Sequence, residues 1–221
     1  MRRTALFLSA FLMLSAVPIA AAEKDWTISL HGGASVPTGD FAAAGKNDAE
    51  AGWQIGGTMD YRWSEQWAFG LDGGWSQNAQ ATEGAVFALG GGDTRSINRD
   101  RFSTWQIGTH AAYFLPARAS MPIKWYAQGG GGLYGLTEKV AETVTIGGTA
   151  ATNDRRITDK RAGLMLGMGG TWWANTQVGL SAGLDYNVAF FDADESRSAT
   201  LSYAVIHAGV TFIAPKSPTA F

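Results

Sequence analysis

The chain of 221 residues contains no cysteine. Disulfide bonds, Cys-x-x-Cys redox motifs, cysteine-ligated zinc and covalent haem attachment are therefore excluded, and so is a small disulfide-stapled secreted domain. Proline is scarce at 6 residues, whereas glycine reaches 29 and tryptophan 9. This composition favours many glycine-containing strands with aromatic residues at their ends.

The chain also lacks an excess of basic residues. Its N-terminus has a basic start at Arg2 and Arg3, an apolar run over 4–19 and an Ala20-Ala21-Ala22 end, which together predict a secretory signal peptide. We assign the signal peptide to 1–22 and one domain to 23–221. Without Arg2 and Arg3, 15 of the 17 basic residues remain against 19 acidic ones, a formal charge of −4. That charge is not typical of a nucleic-acid-binding protein.

The remaining chain lacks an apolar run of the ~20 residues that a membrane-spanning helix needs. It shows instead a period-2 pattern, which is clearest from Trp53 to Trp75. Large apolar residues hold the odd positions and small, polar or charged residues hold the even ones, on both sides of a short polar turn at 64–66. This pattern predicts two strands with an apolar face toward lipid and a polar face toward the inside of a barrel.

The same alternation recurs along the chain and predicts eight strands. They cover approximately residues 26–36, 53–63, 67–75, 102–114, 123–136, 160–173, 178–187 and 200–213. The connections between them alternate in length, with short ones at 64–66, 115–122 and 174–176 and longer loops at 37–50, 77–100, 137–159 and 191–199. Short turns on one rim and long loops on the other are typical of an eight-stranded antiparallel up-and-down transmembrane β-barrel, which is the predicted fold.

The aromatic residues give an independent indication of the two membrane interfaces. If both termini lie on the periplasmic side, one set of aromatic residues falls at that rim: Trp26, Trp63, Trp67, Tyr113, Trp125, Trp172 and Phe212. A second set falls toward the opposite rim: Trp53, Trp75 and Trp105, with Tyr186 or Phe190.

Several segments carry a resemblance to a known family. They are the signal peptide, Val36-Pro37-Thr38-Gly39-Asp40-Phe41 after the first strand, Leu71-Asp72-Gly73-Gly74, Gly129-Gly130-Gly131-Gly132 and Gly209-Val210-Thr211-Phe212. With these, the mature chain resembles the small eight-stranded outer-membrane barrels of the outer-membrane-protein-A-like and opacity type. The resemblance implies a location in the cell outer membrane. One departure is the tail after Phe212, because family barrels commonly end on an aromatic residue of the last strand.

The inward-facing pattern positions predict a polar plug inside the barrel. Its members are Asp60, Arg62, Asp72, His110 and Asp185, joined by Gln54, Gln106, Gln128 and His207 on the same face. A barrel of eight strands is only wide enough to be filled by its side chains, and buried charges must be paired. We therefore expect Arg62 to pair with Asp60, Asp72 or both. A solute path or a ligand pocket is the alternative.

The sequence offers little for catalysis. The mature chain has three histidines, His31, His110 and His207, and none is followed by a serine two residues later, as in the lipid A deacylase barrels. The glycine runs lack the strand–loop–helix context and the Lys-Ser/Thr pair of a phosphate-binding loop. We therefore predict no enzyme activity, no cofactor and no catalytic or metal site.

Basic residues in the long loops suggest lipid contacts. Arg99, Arg101, Arg155 and Arg156 are expected near the outer rim, where guanidinium groups suit the phosphates of lipopolysaccharide. A solvated loop whose charges are balanced by nearby aspartates is the alternative. The predicted partners are outer-membrane lipids and lipopolysaccharide, with no nucleic acid, and the chain is expected to be a monomer.

The predicted function is a non-enzymatic one in an integral outer-membrane barrel: structure, envelope integrity or adhesion through the extracellular loops. Three alternatives remain open on the sequence. They are a narrow channel or small-solute binder, a lipid-modifying enzyme, and a soluble periplasmic ligand-binding barrel with its faces inverted.

Overall fold

The computed structural model describes residues 25–43, 49–80, 85–116, 122–190 and 200–214, with 80, 85 and 97–100 described by backbone alone. Nine strands and one short helix occur in these ranges. They are β1 (Trp26–Thr38), α1 (Gly39–Ala42), β2 (Ala49–Arg62), β3 (Trp67–Gln80), β4 (Ala85–Gly90), β5 (Asp93–Phe114), β6 (Ile123–Ile146), β7 (Thr149–Trp173), β8 (Val178–Phe190) and β9 (Thr200–Ile213).

Eight of these strands form a closed antiparallel ring. Each of β1, β2, β3, β5, β6, β7, β8 and β9 pairs with the next, and β9 returns to pair with β1 over the register from Thr27↔Ile213 to Thr38↔Ser202. Closure leaves the ring without a free edge, so its backbone N–H and C=O groups bond between strands. The predicted eight-stranded antiparallel barrel is confirmed.

The ring is apolar outside and polar inside. Outward positions expose large apolar side chains, such as Leu30 at 61%, Leu166 at 68% and Ile206 at 59%. Inward positions are mostly buried or half-buried and include polar residues such as Gln54, His110 and Thr211. The strands therefore have the face assignment that the period-2 pattern predicted.

The two ends of the barrel differ. The terminal end holds Asp25, Ala214 and the tight turns at 63–66 and 174–177. In the first turn, Ser64 Oγ accepts a hydrogen bond from the Trp67 amide at 3.0 Å. In the second, Asn175 Oδ1 accepts one from the Val178 amide at 2.8 Å. The opposite, distal end holds the turns at 91–92 and 147–148. Outward aromatic rings contact each other at both ends, as in Trp67–Tyr113 at 5.0 Å and Trp53–Trp75 at 4.7 Å.

Two of the predicted long loops are strands instead. Residues 77–100 contain the end of β3, all of β4 and the start of β5, and residues 137–159 continue β6 and β7 across a turn at Gly147 and Gly148, whose φ angles are +57° and +80°. We call β4 and the distal parts of β5 (93–101), β6 (139–146) and β7 (149–156) the outer sheet. The sequence predicts loops here, with some strand character at 140–146, because hydrophilic residues are interspersed on both faces and the clear apolar face of the barrel strands is absent.

The predicted loop at 37–50 contains α1, a single helical turn. No helix in the described ranges is long and apolar enough to cross a membrane. The predicted signal peptide at 1–22, the loop at 191–199 and the tail at 215–221 lie outside the described residues, so the domain limits of 1–22 and 23–221 stay predictions.

Candidate functional site

The five residues predicted for the interior all line one cavity inside the barrel. Asp60 and Arg62 lie on β2, Asp72 on β3, His110 on β5 and Asp185 on β8. The cavity has a volume of about 70 Å³, which is room for a few water molecules. The side chains around it form two groups on opposite arcs of the ring.

The first group joins two carboxylates through a histidine. His110 Nε2 lies 2.7 Å from Asp60 Oδ1 and His110 Nδ1 lies 3.6 Å from Asp72 Oδ1, with 1% of the His110 side chain exposed. Neither contact is a well-aligned hydrogen bond, because Asp60 Oδ1 and His110 Nδ1 both lack a partner of hydrogen-bond geometry. Thr58 Oγ1 donates to the other Asp60 oxygen at 3.1 Å.

The close partner of both carboxylates is therefore His110, and the pairing of Arg62 with Asp60 or Asp72 stays a prediction. Arg62 pairs across the sheet with Ala68, nearer the terminal end than Asp72, which pairs with Thr58. Its guanidinium carbon lies 4.0 Å from the centroid of the Phe114 ring, and its backbone amide donates to the Asp25 carbonyl at 3.0 Å. Arg62 closes the terminal end of the interior, and its side chain is buried there.

The second group surrounds Asp185. Gln128 Nε2 donates to Asp185 Oδ1 at 2.8 Å, and His207 Nε2 lies 3.0 Å from Asp185 Oδ2. The His207 ring is 4.6 Å from the ring of His31. The sequence placed Gln128 and His207 on the inward face, but it gave no indication that they meet at Asp185.

Glycine makes both groups possible. In the first, Gly70 pairs with Asp60 on one side and with His110 on the other, and a Cβ at Gly70 would lie 2.1 Å from Asp60 Oδ1. In the second, Gly167 pairs with Gln128 and with Asp185, and its Cβ would lie 2.0 Å from Asp185 Oδ1. In each group, the polar side chains of the two flanking strands therefore meet over a middle strand that has only a glycine at that position.

A belt of hydrogen bonds lies on the distal side of these groups. Tyr203 OH donates to Gln106 Oε1 at 2.7 Å, and Tyr134 OH donates to Asn187 Oδ1 at 3.0 Å. The interior serines bond within this network or nearby, Ser29 with Thr211, Ser35 with Asn78 and Ser76 with Thr104. These three serines therefore bond to threonine or asparagine side chains, and they do not have the geometry of a nucleophile beside its base.

An apolar cluster that the sequence did not predict fills the distal mouth. Phe41 of α1 is fully buried, and its ring packs edge-on against Phe102 at a centroid distance of 5.3 Å. The rest of the cluster is Ala49, Tyr134, Ala189, Leu201, Tyr203 and Val205. Ser202 Oγ donates to the Thr38 carbonyl at 2.9 Å, which ties the start of α1 to β9. A single phenylalanine in a segment interpreted as loop gave no periodic signal for this cluster.

The four arginines predicted to contact lipid do not act as one group. Arg155 and Arg156 are neighbours on β7 and so point to opposite faces. Arg156 faces outward, opposite Lys139, which is opposite Arg101. Arg155 is paired with Val140, on the face above the barrel mouth. Arg99 lies on β5, and its side chain is outside the described part of the structure.

Comparison with solved structures gives weak overall similarity to several bacterial surface proteins. Neisserial surface protein A is 17% identical, with 85% of this chain and 96% of that chain covered and a TM-score of 0.48. The attachment invasion locus protein Ail of Yersinia pestis is 14% identical, with coverages of 86% and 100% and a TM-score of 0.43. OprG of Pseudomonas aeruginosa is 14% identical, with coverages of 88% and 95% and a TM-score of 0.45.

The comparison with curated proteins found no match. A family model described as outer membrane protein beta-barrel domain matches residues 7–213. The match spans the complete ring of strands, from β1 to the end of β9.

Proposed function

Because the chain belongs to the outer membrane protein β-barrel domain family and is an integral barrel of the outer membrane, we propose that it serves as a closed structural element of the cell envelope. Asp25, Ala214 and the tight turns then face the periplasm, and the outer sheet lies outside the cell. In this role the barrel stabilises the outer membrane and presents the outer sheet, without passing solutes and without catalysis.

The filling of the interior is the observation that supports this role. From the terminal end outward, the barrel contains Arg62 against Phe114, the two carboxylate groups, the hydrogen-bonded belt and the apolar cluster around Phe41. The cavity of about 70 Å³ lies among these side chains. A hydrated solute would have to displace several of them, so a narrow channel fits the interior poorly.

The histidines support a non-enzymatic role in the same way. His110 and His207 are buried and contact aspartates within the barrel, and His31 lines the same interior cavity. A barrel enzyme acting on lipid would need its catalytic groups on the outward face, within reach of the substrate.

Electrical recording tests the closed state directly. The purified barrel should give no discrete conductance steps in a planar bilayer, and vesicles containing it should not swell in isotonic arabinose, whereas a 16-stranded porin in parallel should produce both signals. Reproducible single-channel steps would contradict the proposal.

Lipid A mass spectra from cells with and without the gene should be identical, and a new mass would support the enzyme alternative.

Adhesion through the outer sheet is a second candidate, supported by exposed apolar side chains near its tip. Phe87, Leu89 and Ile146 are each at least half exposed. Cells that display the double variant Phe87→Ser, Leu89→Ser should bind epithelial monolayers less than cells with the wild-type protein. Val86→Ser is the matched control, because Val86 lies on the opposite face of the same strand. Equal adhesion of the double variant and the wild type would remove this candidate.

A further inference from the structure

Three basic residues occupy neighbouring cross-strand positions where the ring passes into the outer sheet. Arg101 on β5 pairs with Lys139 on β6, and Lys139 pairs with Arg156 on β7. All three side chains are exposed. Adjacent strands lie about 4.8 Å apart, so the three side chains start within about 10 Å of one another. We call these residues the cation row.

The row places like charges directly opposite each other, which is unfavourable in a sheet. Three nearby carboxylates, those of Glu138, Glu142 and Asp159, face the other way, whereas Asp154, two residues before Arg156, shares the outward face of the row. Glu138 is buried on the inward face, Glu142 is bound to Arg95 at 2.7 Å, and Asp159 is bound to Arg161 at 3.0 Å. An anion bound from outside would offset the repulsion within the row.

The position of the row relative to the aromatic residues indicates where that anion would come from. Trp105 is on β5, four residues closer to the middle of the barrel than Arg101, and it pairs with Trp75 on the neighbouring strand. Lys160 Nζ lies 5.8 Å from the Trp105 ring centroid. Outward tryptophans mark the boundary between hydrocarbon and headgroups. Four residues on a tilted strand carry the row about 10 Å beyond that boundary, which is headgroup depth.

We propose that the cation row and Lys160 form a binding site for the phosphate groups of an outer-leaflet glycolipid, the lipopolysaccharide of the membrane in which the barrel lies. The arginines supply paired N–H donors that match phosphate oxygens. Lys160 contributes a fourth positive charge, and its ammonium group lies over the Trp105 ring. The site deepens the proposed function, since it requires the outward face to lie in the outer leaflet. It adds Lys139 and Lys160 to Arg101 and Arg156 and leaves out Arg99 and Arg155, the other two arginines suggested by the sequence.

Charge reversal distinguishes the cation row from a general basic surface. The double variant Lys139→Glu, Arg156→Glu should bind purified bis-phosphorylated lipopolysaccharide at least about tenfold more weakly than the wild-type protein, because two charge-assisted contacts are lost. Arg155→Glu is the matched control, with the same change of charge at the adjacent residue on the opposite face, and its affinity should stay near that of the wild type. Equal losses in both variants, or unchanged binding by the double variant, would overturn the site.

A second measurement does not depend on the variants folding. Wild-type protein should bind enzymatically dephosphorylated lipopolysaccharide at least about tenfold more weakly than the intact lipid, and equal affinity for the two lipids would overturn the phosphate assignment. Membrane fractionation tests the underlying proposed function separately. A barrel that fractionates with the outer membrane but binds both lipids equally contradicts the site alone, whereas recovery in the aqueous periplasmic fraction contradicts both.

Discussion

At the scale of single residues, the interior depends on glycine as much as on charge. Asp60 and His110 belong to strands separated by β3, and they meet because Gly70 lies between them. Gln128 and Asp185 meet across Gly167 in the same way. Buried ionised groups are costly unless they are paired, so an inward glycine that lets two polar side chains reach each other stabilises the barrel indirectly.

Gly70→Ala tests this role. The added methyl group would lie 2.1 Å from Asp60 Oδ1 and 2.7 Å from the Met59 carbonyl oxygen, so it should displace the carboxylate from His110 and lower the free energy of unfolding by roughly 1–3 kcal/mol. Urea unfolding of the barrel in lipid vesicles, followed by gel mobility, measures the change. Gly73→Ala on the same strand is the control, since its nearest contact is an ordinary 3.7 Å. Equal stability of the two variants would show that Gly70 is not needed for this arrangement.

At the scale of secondary-structure elements, α1 and the outer sheet are the two additions to a simple ring. The helix is four residues long and too short to be stable by itself, so the burial of Phe41 in the distal mouth must hold it in place. The outer sheet continues hydrogen-bond ladders that begin in the barrel, and residues 139–146 of β6 pair with residues 149–156 of β7 throughout. Both elements are ordered by contacts with the ring.

Phe41→Ala should destabilise the distal end. Truncating a fully buried phenylalanine removes its packing against Phe102 and leaves a cavity, which typically costs on the order of 3 kcal/mol. A shift of the urea midpoint to lower concentration is expected. Ala42→Ser, at the exposed neighbouring position, should leave the midpoint near that of the wild type. If Phe41→Ala unfolds at the wild-type midpoint, the apolar cluster does not depend on α1.

At the scale of the whole molecule, the barrel is a tube filled with side chains, with tight turns at one end and a projecting sheet at the other. The surroundings differ from one region to the next. Lipid surrounds the ring, water surrounds the outer sheet, and the interior is shielded from both. The cation row lies where the first two regions meet.

A protease site inserted between Gly147 and Gly148 tests the orientation of the whole molecule. Both glycines have positive φ in an exposed turn of the outer sheet, so the insertion should be tolerated and the protein should be cut when intact cells are treated with the protease. The same site inserted after Asn175, in the turn at the terminal end, should be cut only after the outer membrane is permeabilised. Cleavage of the second insertion in intact cells would reverse the proposed orientation.

The sequence by itself determined the ring: its eight strands, the apolar outside and the inward position of Asp60, Arg62, Asp72, His110 and Asp185. It could do so because strand periodicity and turn residues are local, and because lipid and interior select opposite side-chain types along the same strand. Only the tertiary structure decided which inward residues meet, since the register of β3 with β5 depends on closing the chain over the intervening β4. It also decided that Arg155 and Arg156 face opposite ways, because consecutive residues in a strand alternate while residues in a loop need not. Phe41 could not be assigned from sequence, because its burial depends on distant strands that surround it.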